Sequence, residues 1–165
     1  MKAVANSSVL IALSSIGQLF ILKQRFAGGV LIPQAVWYEV VESGAGRPGA
    51  KQVQAADWIQ RYSVRDQDYV RLLCAELDTG EAEAIVLMRQ ERADTVLLDE
   101  KAARRVARRL GISILGTVGL LIWARQQGLI PSLSEQLQAL QDDGGFRLSQ
   151  KLCLAALRQV GKANH

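Results

Sequence analysis

The sequence predicts an α/β fold: a central parallel sheet covered by helices on both faces. Short apolar runs alternate with stretches of helical periodicity along the chain, the pattern that strand–helix–strand crossovers produce. One run, Thr95-Val96-Leu97-Leu98, leads straight into Asp99-Glu100 and then a basic helix from Lys101 to Leu110. In an open parallel sheet, ligands bind beyond the carboxyl ends of the strands. With 165 residues, 49% of them hydrophobic, the chain is long and apolar enough to form one domain, residues 1–165, with its own core.

Composition removes several chemistries. Cys74 and Cys153 stand alone without a CxxC, and the only histidine is His165 at the terminus. A zinc site, a histidine-based triad and a disulfide framework all lack their residues. A reducing cytoplasm is the expected setting. Val9 to Leu13 is a short apolar run for a signal peptide, and Ile112 to Ala124 is too short to span a bilayer. No membrane association is expected. The net charge of +4 permits a nucleic-acid partner without requiring one.

Taken in order, residues 2–5 read as the first strand, ending at Asn6. A helix follows from Ser7 or Ser8 to about Lys23, with Val9, Leu10, Leu13, Ile16 and Leu19 apolar at helical spacing. Val30-Leu31-Ile32 forms the second strand, stopped by Pro33. The next helix, about Gln34 to Glu42, carries Glu39 at the edge of its apolar face. Ser43 to Ala50 is glycine-rich but lacks the lysine of a phosphate loop and follows a helix, so it reads as a connection, at most a basic lip at Arg47. A short helix is expected over Val53 to Gln60, a small strand at Tyr62-Ser63-Val64, and a helix around Asp68 to Glu76.

Asp78 and Glu81 then have capping-box spacing at the head of a helix running to Glu91. At about 100° per residue, Glu81 lies with Ala84, Ile85 and Met88 on the core side, and Glu83 on the solvent side. The strand before Asp99 and the basic helix come next. A fourth strand, Ile112 to Leu115, ends at Gly116-Thr117, and a helix runs from Val118 to Gln127. Two further helices occupy about Ser132 to Gly161. Their leucines either finish the core or form a homodimer contact.

The polar residues at strand exits and helix starts are Asn6, Ser8, Glu39, Glu81, Asp99, Glu100 and Thr117. If the strands are neighbours, several carboxyl and amide oxygens converge on one edge. Oxygen-only ligands suit Mg²⁺ or Mn²⁺, which commonly meet a substrate phosphate. Clustered carboxylates repel one another and call for a cation. Beside them, Lys101, Arg104, Arg105, Arg108 and Arg109 share one helix face, with Ala102, Ala103, Val106, Ala107 and Leu110 opposite. Such a face is either simply solvated or a track for nucleic-acid phosphates; an acidic partner protein is met equally well.

Five blocks in order resemble the PIN-domain family of VapC-type toxin ribonucleases, within a branch of uncharacterised nucleic-acid-binding PIN-like proteins. They are Ala5-Asn6-Ser7-Ser8-Val9-Leu10, Ile32-Pro33-Gln34-Ala35-Val36-Trp37-Tyr38-Glu39, Leu77-Asp78-Thr79-Gly80-Glu81-Ala82-Glu83, Leu97-Leu98-Asp99-Glu100-Lys101 and Gly116-Thr117-Val118-Gly119. The resemblance implies a three-layer α/β/α fold with a central parallel sheet of four to five strands. It also implies a Mg²⁺- or Mn²⁺-dependent endoribonuclease, the toxin of a toxin–antitoxin pair.

Carried over by position, the metal-binding acids fall on Asn6, Glu39, Glu81 and Asp99, with Glu100 sharing or replacing the part of Asp99. Glu39, Glu81 and Asp99 become the catalytic set, and Ser8 and Thr117 line the site. The implied partners are RNA and an antitoxin protein, and homodimers are common in the family. Asn6 departs from the family pattern, where active members carry Asp. An amide oxygen still ligates a hard cation but brings one negative charge less, so weaker metal binding is expected. A non-catalytic nucleic-acid- or partner-binding domain is the alternative.

Overall fold

The computed structural model describes residues 1–163; His165, the only histidine, lies outside them. Five strands form one sheet: β1 (Lys2–Ala5), β2 (Gly29–Pro33), β3 (Ile59–Tyr62), β4 (Thr95–Leu97) and β5 (Ile114–Leu115). Their order is β3-β2-β1-β4-β5, and every pairing is parallel.

Side chains alternate across each strand, so the sheet feeds two cores. Ala3, Ala5, Val30, Ile32 and Leu97 pack on one face against α1 (Ser7–Ser15), α2 (Phe20–Arg25) and α8 (Thr117–Gln126), with α9 (Leu133–Asp142) and α10 (Gln150–Ala163) completing that layer. Val4, Leu31, Val96 and Leu98 pack on the other face against α5 (Gln67–Leu73), α6 (Thr79–Gln90) and α7 (Lys101–Arg109). This is the three-layer α/β/α arrangement the sequence predicts. Among the described residues, no helix is long and apolar enough to cross a membrane.

Five local expectations are corrected. The helix expected to reach Lys23 is split into α1 and α2, because Gly17 adopts φ +71° and the chain turns there. The helix after β2 is α-helical only over α3 (Gln34–Trp37) and continues as a π turn, Tyr38–Glu42. The helix expected at 53–60 is α4 (Ala50–Ala55), and the strand expected at 62–64 is β3, three residues earlier. Glu83 is not a solvent residue: it is 9% exposed, because α6 is covered by the sheet on one side and by α3 and α5 on others.

Candidate active site

The strand order reverses between β1 and β4, which is where open parallel sheets place their ligands. Asn6 leaves β1 at this point, and Asp99 follows β4; the Asn6 amide N–H donates to the Leu97 carbonyl at 3.2 Å, so the two strand exits are stitched together. A cleft of about 710 Å³ opens above them. Asn6, Ser8, Glu39, Glu81, Asp99, Glu100 and Lys101 all line it, joined by Ser7, Ile11, Asp78 and Ala102. Thr117 does not line the cleft. It is fully buried and stands behind Asp99.

Each carboxylate is held in a different way. Asp99 accepts the Thr117 backbone N–H at 2.8 Å on one oxygen and the Thr117 hydroxyl at 2.6 Å on the other. Glu39 reaches the cleft from the π turn, a helix irregularity that frequently marks functional sites. It accepts the Ser7 hydroxyl at 2.6 Å, and its carboxylate lies flat against Gly80, where a Cβ would stand only 2.7 Å from the Glu39 Oε1. Glu81 closes the expected capping box: its backbone N–H donates to Asp78 at 2.7 Å, and it accepts the Asp78 backbone N–H at 3.1 Å. Asn6 precedes α1, but its side chain makes no cap, so the 4%-exposed amide is left to the cleft.

Burial raises all three acids above their ordinary values. For Glu39, desolvation outweighs the Ser7 hydrogen bond, and the negative charges of Asp78 and Glu83 add to the rise. Desolvation likewise raises Glu81, with Asp78 and Glu100 as like-charged neighbours. Desolvation raises Asp99 against the opposing pull of the Thr117 bonds and the Arg104 charge. None of the three forms an ion pair among the described residues.

Negative charge that is clustered, desolvated and unpaired is stabilised by a cation. The available donors are all oxygens, the chemistry of Mg²⁺ and Mn²⁺. Among the described residues no three Asp, Glu, His or Cys side chains are placed so that together they could hold a metal ion. An ion in this cleft would take few protein oxygens and keep several of its waters, as Mg²⁺ commonly does.

Two residues that matter here escaped the sequence reading as site residues. Asp78 lines the cleft and adds a fifth carboxylate; its capping signal was legible, its exposure to the site was not. Glu83 accepts the Ala35 backbone N–H at 3.2 Å and so ties the head of α3, which leads to Glu39, onto α6.

The basic helix is also less uniform than its spacing implies. Ala102 is exposed and lines the cleft rather than the core, Arg104 is half-buried beside Asp99, and Arg109 pairs with Glu76 at 2.6 Å. Lys101, Arg105 and Arg108 remain exposed.

A comparison with curated proteins gives no match. The DUF3368 family model, described as a PIN domain, matches residues 2–162, a span that contains all five strands and every residue of the cleft. The chain belongs to the PIN-domain family and has its nuclease-type fold.

Proposed function

We propose that this protein is a divalent-metal-dependent endoribonuclease that hydrolyses RNA phosphodiesters with Mg²⁺ or Mn²⁺. The observation that carries the proposal is the trio Glu39, Glu81 and Asp99: three desolvated acids around one cleft, none of them in an ion pair among the described residues, at the point where the strand order reverses. When bound, the cation polarises a phosphoryl oxygen and makes a hydroxide available at neutral pH. Asp99, Glu81 and Glu39 would hold the metal, with Asn6 contributing its amide oxygen and Glu100 a further carboxylate at the rim.

Thr117 and Ser7 keep Asp99 and Glu39 from turning away, so their orientation at the cleft would be set before a substrate arrives. The Lys101–Arg109 face would hold the RNA backbone by charge-assisted hydrogen bonds. Resemblance to toxin ribonucleases extends the proposal to the toxin of a cytoplasmic toxin–antitoxin pair, restrained by an antitoxin protein.

Asn6 favours a second reading, a PIN domain that binds nucleic acid without cutting it. The first-strand position has no carboxylate, and one negative charge is missing where the cation would sit.

One assay separates the readings: cleavage of labelled single-stranded RNA in Mg²⁺, Mn²⁺ or EDTA by wild type, Asp99→Ala and Asn6→Asp. Cation-dependent cleavage lost in Asp99→Ala supports the nuclease. Cleavage that appears only in Asn6→Asp supports the binding domain. Equal cleavage by wild type and Asp99→Ala sinks the assignment of the site.

A further inference from the structure

A second cavity, of about 340 Å³, shares no residue with the carboxylate cleft. It forms where the segment between β3 and α5 meets the last turns of α6, and Arg65, Asp66, Tyr69, Val86, Arg89 and Gln90 line it. Its volume lies at the small end of ligand pockets, which run from about 300 to about 1,000 Å³. Arg89 follows Glu81 along α6 by two turns, roughly 12 Å at the helical rise.

The walls are pinned by their own hydrogen bonds. The Gln90 side chain accepts the Arg65 backbone N–H at 2.9 Å and donates to the Ser63 carbonyl at 3.0 Å, which ties the segment to α6. Asp66 caps α5 with one oxygen, accepting the Tyr69 backbone N–H at 3.0 Å. Val86 and the half-buried Tyr69 supply apolar surface.

The two arginines are the part left unsatisfied. Arg89 stands over the Tyr69 ring, 5.8 Å from its centroid, and pairs with no acid among the described residues. Its charge complements the C-terminal end of α6, which holds it there without occupying its donors. Arg65 comes no closer than 3.9 Å to Glu91, beyond hydrogen-bond range.

We infer that this cavity binds a nucleoside monophosphate: Arg65 and Arg89 take the phosphate, Tyr69 and Val86 the base, and the second Asp66 oxygen a base amine or ribose hydroxyl. Two guanidiniums against one carboxylate leave the wall net positive, and the planar guanidinium fork matches phosphate oxygens two at a time. An aromatic ring beside an aliphatic side chain suits the face of a heterocycle. Inorganic phosphate engages only the arginines and a nucleoside only the remaining wall, so the joined ligand is the one that uses the whole site. The inference is independent of the chemistry in the cleft, and its failure leaves the nuclease reading standing.

Calorimetric titration of the full chain with AMP, adenosine and inorganic phosphate tests it, in EDTA so that no cation bridges phosphate to the acidic cleft. Wild type is compared with Arg89→Gln, Tyr69→Leu and, on the α7 face, Arg105→Gln. AMP should bind wild type saturably at one site, about tenfold or more weakly in Arg89→Gln and about fivefold or more weakly in Tyr69→Leu. Arg105→Gln should match wild type, and adenosine and phosphate should each bind about tenfold or more weakly than AMP. Arg89 is exposed, so its variant carries the test even if thermal melting shows that Tyr69→Leu does not fold. Equal AMP affinity in wild type and Arg89→Gln, or a loss in Arg105→Gln alone, overturns the site. Phosphate binding as tightly as AMP overturns the base contact, and adenosine binding as tightly overturns the part of the arginines. No saturable binding of AMP by wild type overturns the inference outright.

Discussion

The Ser7 hydroxyl donates to the Glu39 carboxylate across 2.6 Å, joining the first residue of α1 to a π turn thirty-two positions along the chain. The same carboxylate rests on Gly80 at the head of α6. One acid is thus fixed by three elements that meet only because β1 and β2 are adjacent and α6 packs across both.

Gly80→Ala tests that packing. A methyl group 2.7 Å from the Glu39 oxygen forces the carboxylate away from Ser7. Alanine also loses less conformational freedom than glycine on folding, which offsets part of the cost. The expected outcome is a protein whose melting temperature changes little while its Mn²⁺ affinity and RNA cleavage fall about tenfold or more. Parallel loss of folding and affinity would point to general disruption instead.

Thr117→Val keeps the buried shape behind Asp99 but removes the 2.6 Å hydroxyl bond. Hydrogen bonds to charged groups contribute about 1.5–3 kcal/mol, so a loss of about 2 kcal/mol in urea denaturation is expected. That bond also lowers the Asp99 pKa. Without it the acid limb of the pH–rate profile should move to higher pH; a limb that stays in place would mean Asp99 does not govern it.

Glu83→Gln and Glu83→Ala separate two effects of a buried acid. Glutamine retains an oxygen for the Ala35 N–H but removes a negative charge that raises Glu39. It should fold normally and extend cation binding to lower pH. Alanine leaves that N–H without its partner and should cost about 1–3 kcal/mol. Equal stability of the two variants would refute the structural part of Glu83, and cation binding with unchanged pH dependence in Glu83→Gln would refute the electrostatic one.

The raised acids also set a sign for stability against pH. Asp99 lies above its ordinary 3.8 and Glu39 and Glu81 above 4.5. In the cation-free chain these groups keep protons that the unfolded chain has already released. Their contribution to stability therefore falls as pH rises from those ordinary values through the raised ones. Asp99→Asn carries no such ionisation, so its stability relative to wild type should rise as pH rises from the ordinary 3.8 of Asp99 through its raised value in EDTA. Denaturation midpoints show this directly, and a difference that falls with pH would reverse the sign of the argument.

Much of this architecture is legible in the residues, and the exceptions have physical reasons. The apolar runs of β1, β2 and β4, the Asp78–Glu81 capping box and the acid after β4 depend on local pattern, which the fold keeps. The break at Gly17 is hidden because apolar spacing continues across it through Leu19, and one left-handed glycine redirects the chain without altering that pattern. Glu83 misleads for a different reason: a helix wheel assumes one buried face, and α6 has several. The π turn at Glu39 and the arrival of segment 43–50 beside Ile11 are tertiary outcomes, set by how α1 and the π turn pack. Lys101 to Arg109 reads as one stripe, but the fold divides it into a cleft residue, a half-buried neighbour of Asp99, free cations and a surface ion pair.

The central claim is that Glu39, Glu81 and Asp99 are held for a divalent cation, and calorimetric titration with Mn²⁺ at neutral pH tests it most directly. Wild type, Asp99→Asn and Glu81→Gln would be titrated with and without a non-cleavable RNA. The account predicts saturable binding by wild type, tightened by RNA and weakened about tenfold or more in each variant. Absence of binding by wild type even with RNA present, or equal binding by all three proteins, would contradict it.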